Sequence, residues 1–542
     1  MRGLTPLLTC FYIITTSLAA SISSLNAPLA FLDNGTFVGK HNGSADCYLG
    51  IPYAEPPARY RQAEPNHPYT GVHDATQFGF SCPGIQDSSS GSPYMTPLFN
   101  VLEAKFPGIE NSTNPMNEDC LTANIWTPKG AGPGDSHPVV VFLYLGAFVY
   151  GGSSSYNGGF IVERSVQIGK PIVYVSINYR VAAFGFLPGE ESRNAGVTNL
   201  GMRDQRQALR WIKRYIQNFG GDPNRVTIWG INAGAESVGC QMLANNGDTE
   251  GLFTGAVMQS GFPLPMNTYA QLQSSYDTLV NATNCTGHSD TLDCLRHVPY
   301  DDFYQAMLLV PTEDRLSGWQ AIVDYDFIQG QPPSRMKAGL IARIPYIVAD
   351  TDDEGTETAF FLPNITTDEE VADYVQQLAL PGISDEQTAQ VLELYPSDPA
   401  KGSPFGTGDA NQVTPQFKRL SALIGDIEFH GWRRYFLNTT SDFQHGYSYV
   451  SKFYKDLEGV GSGTASDLPF LYGRGPLTDY LINFVREGTP NNGTAVYWPR
   501  WTKSSPQILS IANDSQPVEI LEDTFRKEAI DLVVSLNLQH PE

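Results

Sequence analysis

The sequence predicts an α/β fold with a mostly parallel central sheet, and three observations predict it. The runs Pro138-Val139-Val140-Val141-Phe142-Leu143 and Ile172-Val173-Tyr174-Val175-Ser176-Ile177 are continuously apolar, the pattern of strands buried on both faces. Between Asp204 and Phe219 the apolar residues Ala208, Leu209, Trp211, Ile212, Tyr215 and Ile216 recur at helical spacing, and Gly220-Gly221-Asp222-Pro223 stops the segment. A strand, Val226-Thr227-Ile228-Trp229, follows, so strand, helix and strand alternate as in a doubly wound sheet with helices on both faces.

From the N-terminus, Arg2 precedes an apolar stretch from Leu7 to Leu18 that ends in the small residues Ala19-Ala20. This reads as a signal peptide over residues 1–20, because the stretch is shorter than the ~20 apolar residues a membrane span needs. Residues 21–542 show no internal repeat and no Pro/Gly/Ser linker, which predicts a single domain. The Ser/Gly-rich stretch from Gln86 to Pro97 and the segments around 263–330 and 355–420 are expected to be large loop insertions over the C-terminal strand ends, where a sheet of this kind binds its ligand. The last residues, Leu536 to Glu542, carry no hydrophobic tail, so no membrane anchor is expected.

With 41% of 542 residues hydrophobic, the chain can bury a large core. Its 57 acidic against 34 basic residues give a net charge of −23, which disfavours nucleic acid as a partner. Low charge density (17%) with abundant Gly and Pro suits a secreted or secretory-pathway protein. So do the sequons at Asn34, Asn42, Asn111, Asn281, Asn284, Asn364, Asn438, Asn492 and Asn513. Beyond Cys10 in the leader, six cysteines allow 15 pairings. The histidines are far apart and no paired-His or Cys-x-x-Cys spacing occurs, so neither a metal nor a cofactor is expected.

Strand Val226–Trp229 runs into Gly230-Ile231-Asn232-Ala233-Gly234, the setting of a G-x-S-x-G nucleophile elbow in which the serine is replaced by Asn232. With Gly50-Ile51-Pro52-Tyr53-Ala54-Glu55-Pro56-Pro57, Glu118-Asp119-Cys120-Leu121, Asn178-Tyr179-Arg180, Asp204-Gln205-Arg206, Phe219-Gly220-Gly221-Asp222-Pro223 and Gln259-Ser260-Gly261, the chain resembles the type-B carboxylesterase/lipase family, cholinesterase-like α/β-hydrolases. The resemblance implies the α/β-hydrolase fold and the disulfides Cys82–Cys120 and Cys285–Cys294, and it leaves open whether the remaining Cys47 and Cys240 are free thiols. It also implies triad positions: the acid Glu354 is kept in Asp353-Glu354-Gly355-Thr356, whereas Thr464 stands where the family has histidine. The oxyanion segment reads Tyr144-Leu145-Gly146-Ala147-Phe148, so Tyr144, Gly146, Ala147, Asn232 and Ala233 are the expected ligand-binding residues. Two imitations are set aside: Ser237 in Ala235-Glu236-Ser237-Val238-Gly239 lies inside the helix after the elbow, and His445-Gly446 lies too early for the histidine position.

A carboxamide forms no acyl intermediate and a threonine is no base, so covalent hydrolysis is expected to be absent. The expectation is therefore a non-hydrolytic protein whose gorge binds a small apolar or aromatic ligand. Its role would be that of a dirigent-like accessory steering the stereochemistry of a secreted partner oxidase or laccase in secondary metabolism. A cyclase, dehydratase or pericyclase, an adhesion-type protein and a decayed esterase are the alternatives.

Overall fold

The structure is a computed structural model and describes residues 27–85, 114–310, 318–473, 475–494, 496–512 and 518–540. The signal peptide, the stretch from Gln86 to Pro97 and the sequons at Asn111 and Asn513 lie outside the described residues.

The strands, in chain order, are β1 (Leu29–Leu32), β2 (Asn34–Val38), β3 (Lys40–Asn42), β4 (Ala45–Pro52), β5 (Thr70–Asp74), β6 (Thr122–Pro128) and β7 (His137–Leu143). They continue with β8 (Val173–Ile177), β9 (Gly221–Ile231), β10 (Gly255–Gln259), β11 (Tyr346–Thr351), β12 (Gly446–Lys452), β13 (Gln507–Ala512) and β14 (Val518–Glu522). β1, β2 and β5 form a small sheet, and the rest form one large sheet in the order β14-β13-β12-β11-β10-β9-β7-β8-β6-β4-β3. From β8 across to β13 every neighbouring pair is parallel, and the outer pairs are antiparallel.

The apolar runs explain this arrangement. On β7, Val139, Val141 and Leu143 join one buried cluster, which also holds Ala208, Trp211 and Ile212 of the helix Leu200–Tyr215 and Phe436 of the helix Gly431–Thr440. Val140 and Phe142 point to the opposite face and pack with Ile161 of the helix Gly159–Gln167 and Phe484 of the helix Pro476–Glu487. Both faces of a central strand are thus covered by helices, which is why its sequence is apolar without alternation. The chain steps over at β7, between β8 and β9, and such a reversal opens a crevice at the carboxyl ends of the strands. The segments after β10 and β11 close over that crevice, with Leu264, Pro265, Tyr374 and Leu378 in its wall, as the insertion pattern predicts.

Cys82 pairs with Cys120 and Cys285 with Cys294, while Cys47 and Cys240 are buried free thiols. With 38 and 9 residues of sequence separation, loop-closure entropy assigns about 4 and about 2.5 kcal/mol to the two bridges. Replacing Cys82 and Cys120 together by serine is expected to cost more in urea denaturation than the same change at Cys285 and Cys294. Asn34, Asn281, Asn284, Asn364, Asn438 and Asn492 are exposed, whereas Asn42 is half-buried with its amide on Asn157. Among the described residues no helix is long and apolar enough to cross a membrane, and no group of ligating side chains forms a metal site.

Candidate functional site

β9 ends at Ile231 and the helix Ala233–Leu243 begins at once, so the one residue between them must reverse the chain. That residue, Asn232, has φ 52° and ψ −125°, a positive-φ conformation in which Asn is among the better tolerated side chains. The flanking glycines are required by space. A Cβ on Gly230 would lie 2.1 Å from the Gly234 carbonyl oxygen, and one on Gly234 would lie 2.1 Å from that of Leu143. The turn is pinned by the Asn232 N–H, which donates to the Gln259 carbonyl at 2.9 Å. The carbonyl of Asn232 in turn accepts from the N–H groups of Ala235 and Glu236.

The geometry of the elbow presents the Asn232 side chain to the loop after β7. Its Oδ1 accepts from the Gly146 N–H at 3.3 Å and the Ala147 N–H at 3.0 Å. Two backbone donors therefore converge on an amide oxygen, the arrangement of an oxyanion hole. Ala147, Asn232 and Ala233 line a cavity of about 320 Å³. Gly146 takes part through its N–H, and the tight turn leaves no room for a side chain there, since a Cβ would meet the Tyr150 carbonyl oxygen at 2.1 Å.

Tyr144 is a correction. It was expected in the ligand set, but its ring is fully buried, stacked on Tyr179 with centroids 4.4 Å apart. The two tyrosines exchange bonds, each hydroxyl donating to the other's carbonyl oxygen at 2.9 and 3.0 Å. The side chain thus points into the core beneath the sheet and is absent from the cavity wall.

Glu354 lies just beyond β11 and is buried. Its Oε1 accepts from the Ser260 hydroxyl at 2.6 Å and from the Thr351 N–H at 2.6 Å, and its Oε2 accepts from the Thr464 hydroxyl at 2.6 Å. Burial, reinforced by the negative charge of Asp350, pushes this carboxyl up to about 8 despite those three donors. Thr464 thus stands on the acid, where the resemblance places the histidine, and a hydroxyl with no basic nitrogen ends the relay.

The imitations resolve structurally. Ser237 is buried and accepts a hydrogen bond from Gln205, and His445 precedes β12, at the end of the sheet opposite the cavity, where it meets Arg500.

Two cavity residues escaped the sequence reading. Ser260, named in the sequence only within the Gln259-Ser260-Gly261 match, follows the buried strand β10 and meets Glu354 across 94 residues of sequence, so its place in the site was not legible there. Glu236 stands four residues after Asn232 on the helix face that lines the cavity. Burial raises its carboxyl to about 8.

The sequence matches the carboxylesterase family over residues 26–532. It is 34% identical to a secreted triacylglycerol lipase of Gibberella zeae, over 93% of this chain and 89% of that one. It is 37% identical to lipase 4 of Diutina rugosa, over 90% and 92% of the two chains. The crystal structure of Aspergillus niger EstA superposes with a TM-score of 0.79 at 25% identity, covering 95% of this chain and 99% of that one. The Gibberella zeae and Diutina rugosa relatives are named lipases, which overturns the expectation of a non-hydrolytic accessory steering an oxidase or laccase, together with its cyclase and adhesion alternatives. The elbow between β9 and its helix, the two N–H groups facing it and the match along nearly the whole sequence place the chain in the carboxylesterase family.

Proposed function

We propose that the chain is a secreted lipase-type hydrolase of carboxylic esters with apolar groups, in which water attacks the ester carbonyl directly and no acyl-enzyme forms. One observation carries this reading: the Gly146 and Ala147 N–H groups already hold a carbonyl oxygen, that of the Asn232 amide. An ester carbonyl has the same acceptor chemistry and can take that place when the Asn232 side chain turns away. The exchange trades like hydrogen bonds and costs on the order of 1 kcal/mol. The same donors then stabilise the charge that grows on the oxygen as water adds to the carbonyl carbon; as the carbonyl re-forms, the bond to the alcohol oxygen breaks and the proton lost by the attacking water passes to that oxygen, giving acid and alcohol. The apolar wall supplied by Leu264, Ile424, Ile427 and Trp432 suits the acyl or alcohol part. Secretion is supported by relatives named as secreted lipases and by the sequons exposed on the surface.

The magnitude follows from what remains. A hydrolase without its nucleophile keeps on the order of 10³–10⁴ over the uncatalysed rate through oxygen binding and substrate positioning, and runs about 10⁴–10⁶ below its intact form. Purified protein assayed on p-nitrophenyl octanoate and tributyrin is therefore expected to show slow, linear hydrolysis without a burst. Mass spectrometry is expected to find no serine adduct after treatment with an organophosphonate. Asn232→Ala, which clears the donor pair, is expected to keep or raise the rate. Hydrolysis equal to buffer alone in both proteins would defeat the reading.

A further inference from the structure

We propose that the cavity selects a molecule whose apolar body carries a basic nitrogen, and that the ammonium group of this ligand pairs with Glu236. The proposal rests on the reading of the cavity as the ester site and adds a substrate class to it. Three observations carry it. Among the described residues lining the cavity there are two carboxyl groups, Glu236 and Glu428, and no lysine, arginine or histidine. A free fatty acid anion would meet carboxyl groups and find no cation. Glu236, half-buried in the cavity wall, also has no hydrogen bond or ion pair to any described residue, so its carboxyl is left for a ligand. The same cavity wall includes Phe148, Tyr374, Phe429 and Trp432, apolar rings that suit an apolar body and are of the type that attracts a cation.

The electrostatics favour an ammonium over a hydroxyl as the partner. Burial holds the Glu236 proton on at neutral pH, and an opposite charge within about 4–6 Å restores the carboxylate. The titratable groups that feel Glu236 are Cys240, one turn along the same helix, and Tyr179 below it, and burial keeps both neutral. Glu428 lines the same cavity from the helical segment Asp426–His430. An amine therefore binds as a cation with release of the Glu236 proton, whereas an alcohol binds with no change of protonation.

The test is calorimetric titration at pH 7 with octylamine, octanol and octanoate, each in two buffers of different ionisation heat. Octylamine is expected to bind at least about tenfold more tightly than either of the others, with release of up to one proton. Glu236→Gln is expected to remove the amine preference and the proton release while leaving octanol binding unchanged, and Glu236→Asp to retain part of both. Equal affinity for the three compounds in the wild type, or an amine preference that survives Glu236→Gln in a folded protein, would overturn the proposal. Hydrolysis of p-nitrophenyl octanoate, measured on the same preparations, separates the two readings. Turnover without amine preference removes only the present proposal, and amine preference without turnover removes only the hydrolytic one.

Discussion

The double variant Asn232→Ser with Thr464→His is expected to hydrolyse p-nitrophenyl octanoate at least about 10²-fold faster than the wild type and to become labelled by an organophosphonate at position 232. The warrant is geometric. The elbow residue already adopts φ 52°, the Gly146 and Ala147 donors already converge on its side-chain oxygen, and Glu354 is already hydrogen-bonded to the side chain at 464. A serine at 232 presents a hydroxyl where the amide now stands, and a histidine at 464 places an imidazole between that hydroxyl and Glu354. The ionised form of Glu354, favoured by an adjacent imidazolium, would then do what a triad acid does. Nucleophile and base act as a unit worth about 10⁴–10⁶ in rate, so recovery of about 10² allows for imperfect packing of the larger ring. Asn232→Ser alone is expected to stay within about tenfold of the wild type, because threonine cannot take the proton. A folded double variant that gains nothing and resists the probe would show that position 464 does not face the elbow.

What the sequence revealed and what it hid follow from the range of the interactions. β7 and β8 were legible as Pro138–Leu143 and Ile172–Ile177 because a strand covered on both faces writes its burial into every residue. β9 starts earlier than expected, at Gly221, since an irregular pairing between His137 and Gly221 draws Gly221-Asp222-Pro223 into the strand although those residues read as a helix stop. Asn232, Glu354 and Thr464 could be proposed from sequence because they lie in short recognisable segments. Tyr144 was misplaced because a residue leaving a strand can point to the core or to the crevice, and its stacking on Tyr179, 35 residues away, decided the matter. Glu236 was hidden for the opposite reason. Its sequence neighbours describe an ordinary helix, and only packing of the insertions turns a surface-type acid into a half-buried one in a cavity wall.

That burial has a consequence for the whole fold: raising the pH from 5 to 9 is expected to lower the unfolding free energy, with Glu236 and Glu354 each contributing on the order of 2–4 kcal/mol. In the folded protein both carboxyl groups lie near 8, whereas their ordinary value, which the unfolded chain restores, is 4.5. Between those values the folded state holds protons that the unfolded state has released, so stability is greatest below about 4.5 and falls as pH rises through 8. The direction is opposite to that of Asp523, whose carboxyl is held well below the usual range by Arg433 and Arg434 and is already ionised across this window. Glutamine at 236 mimics the protonated acid, so Glu236→Gln is expected to match the wild type at pH 5 and to be about 2–4 kcal/mol more stable at pH 9. At 354 a glutamine can accept from Ser260 and the Thr351 N–H through one atom and donate to Thr464 through the other, which satisfies every partner the acid has. The Glu236→Gln, Glu354→Gln double variant should therefore show the flattest dependence of urea midpoint on pH. A wild-type slope that survives in both single variants would mean that neither carboxyl is protonated in the folded protein, and the electrostatic description of the cavity would fail with it.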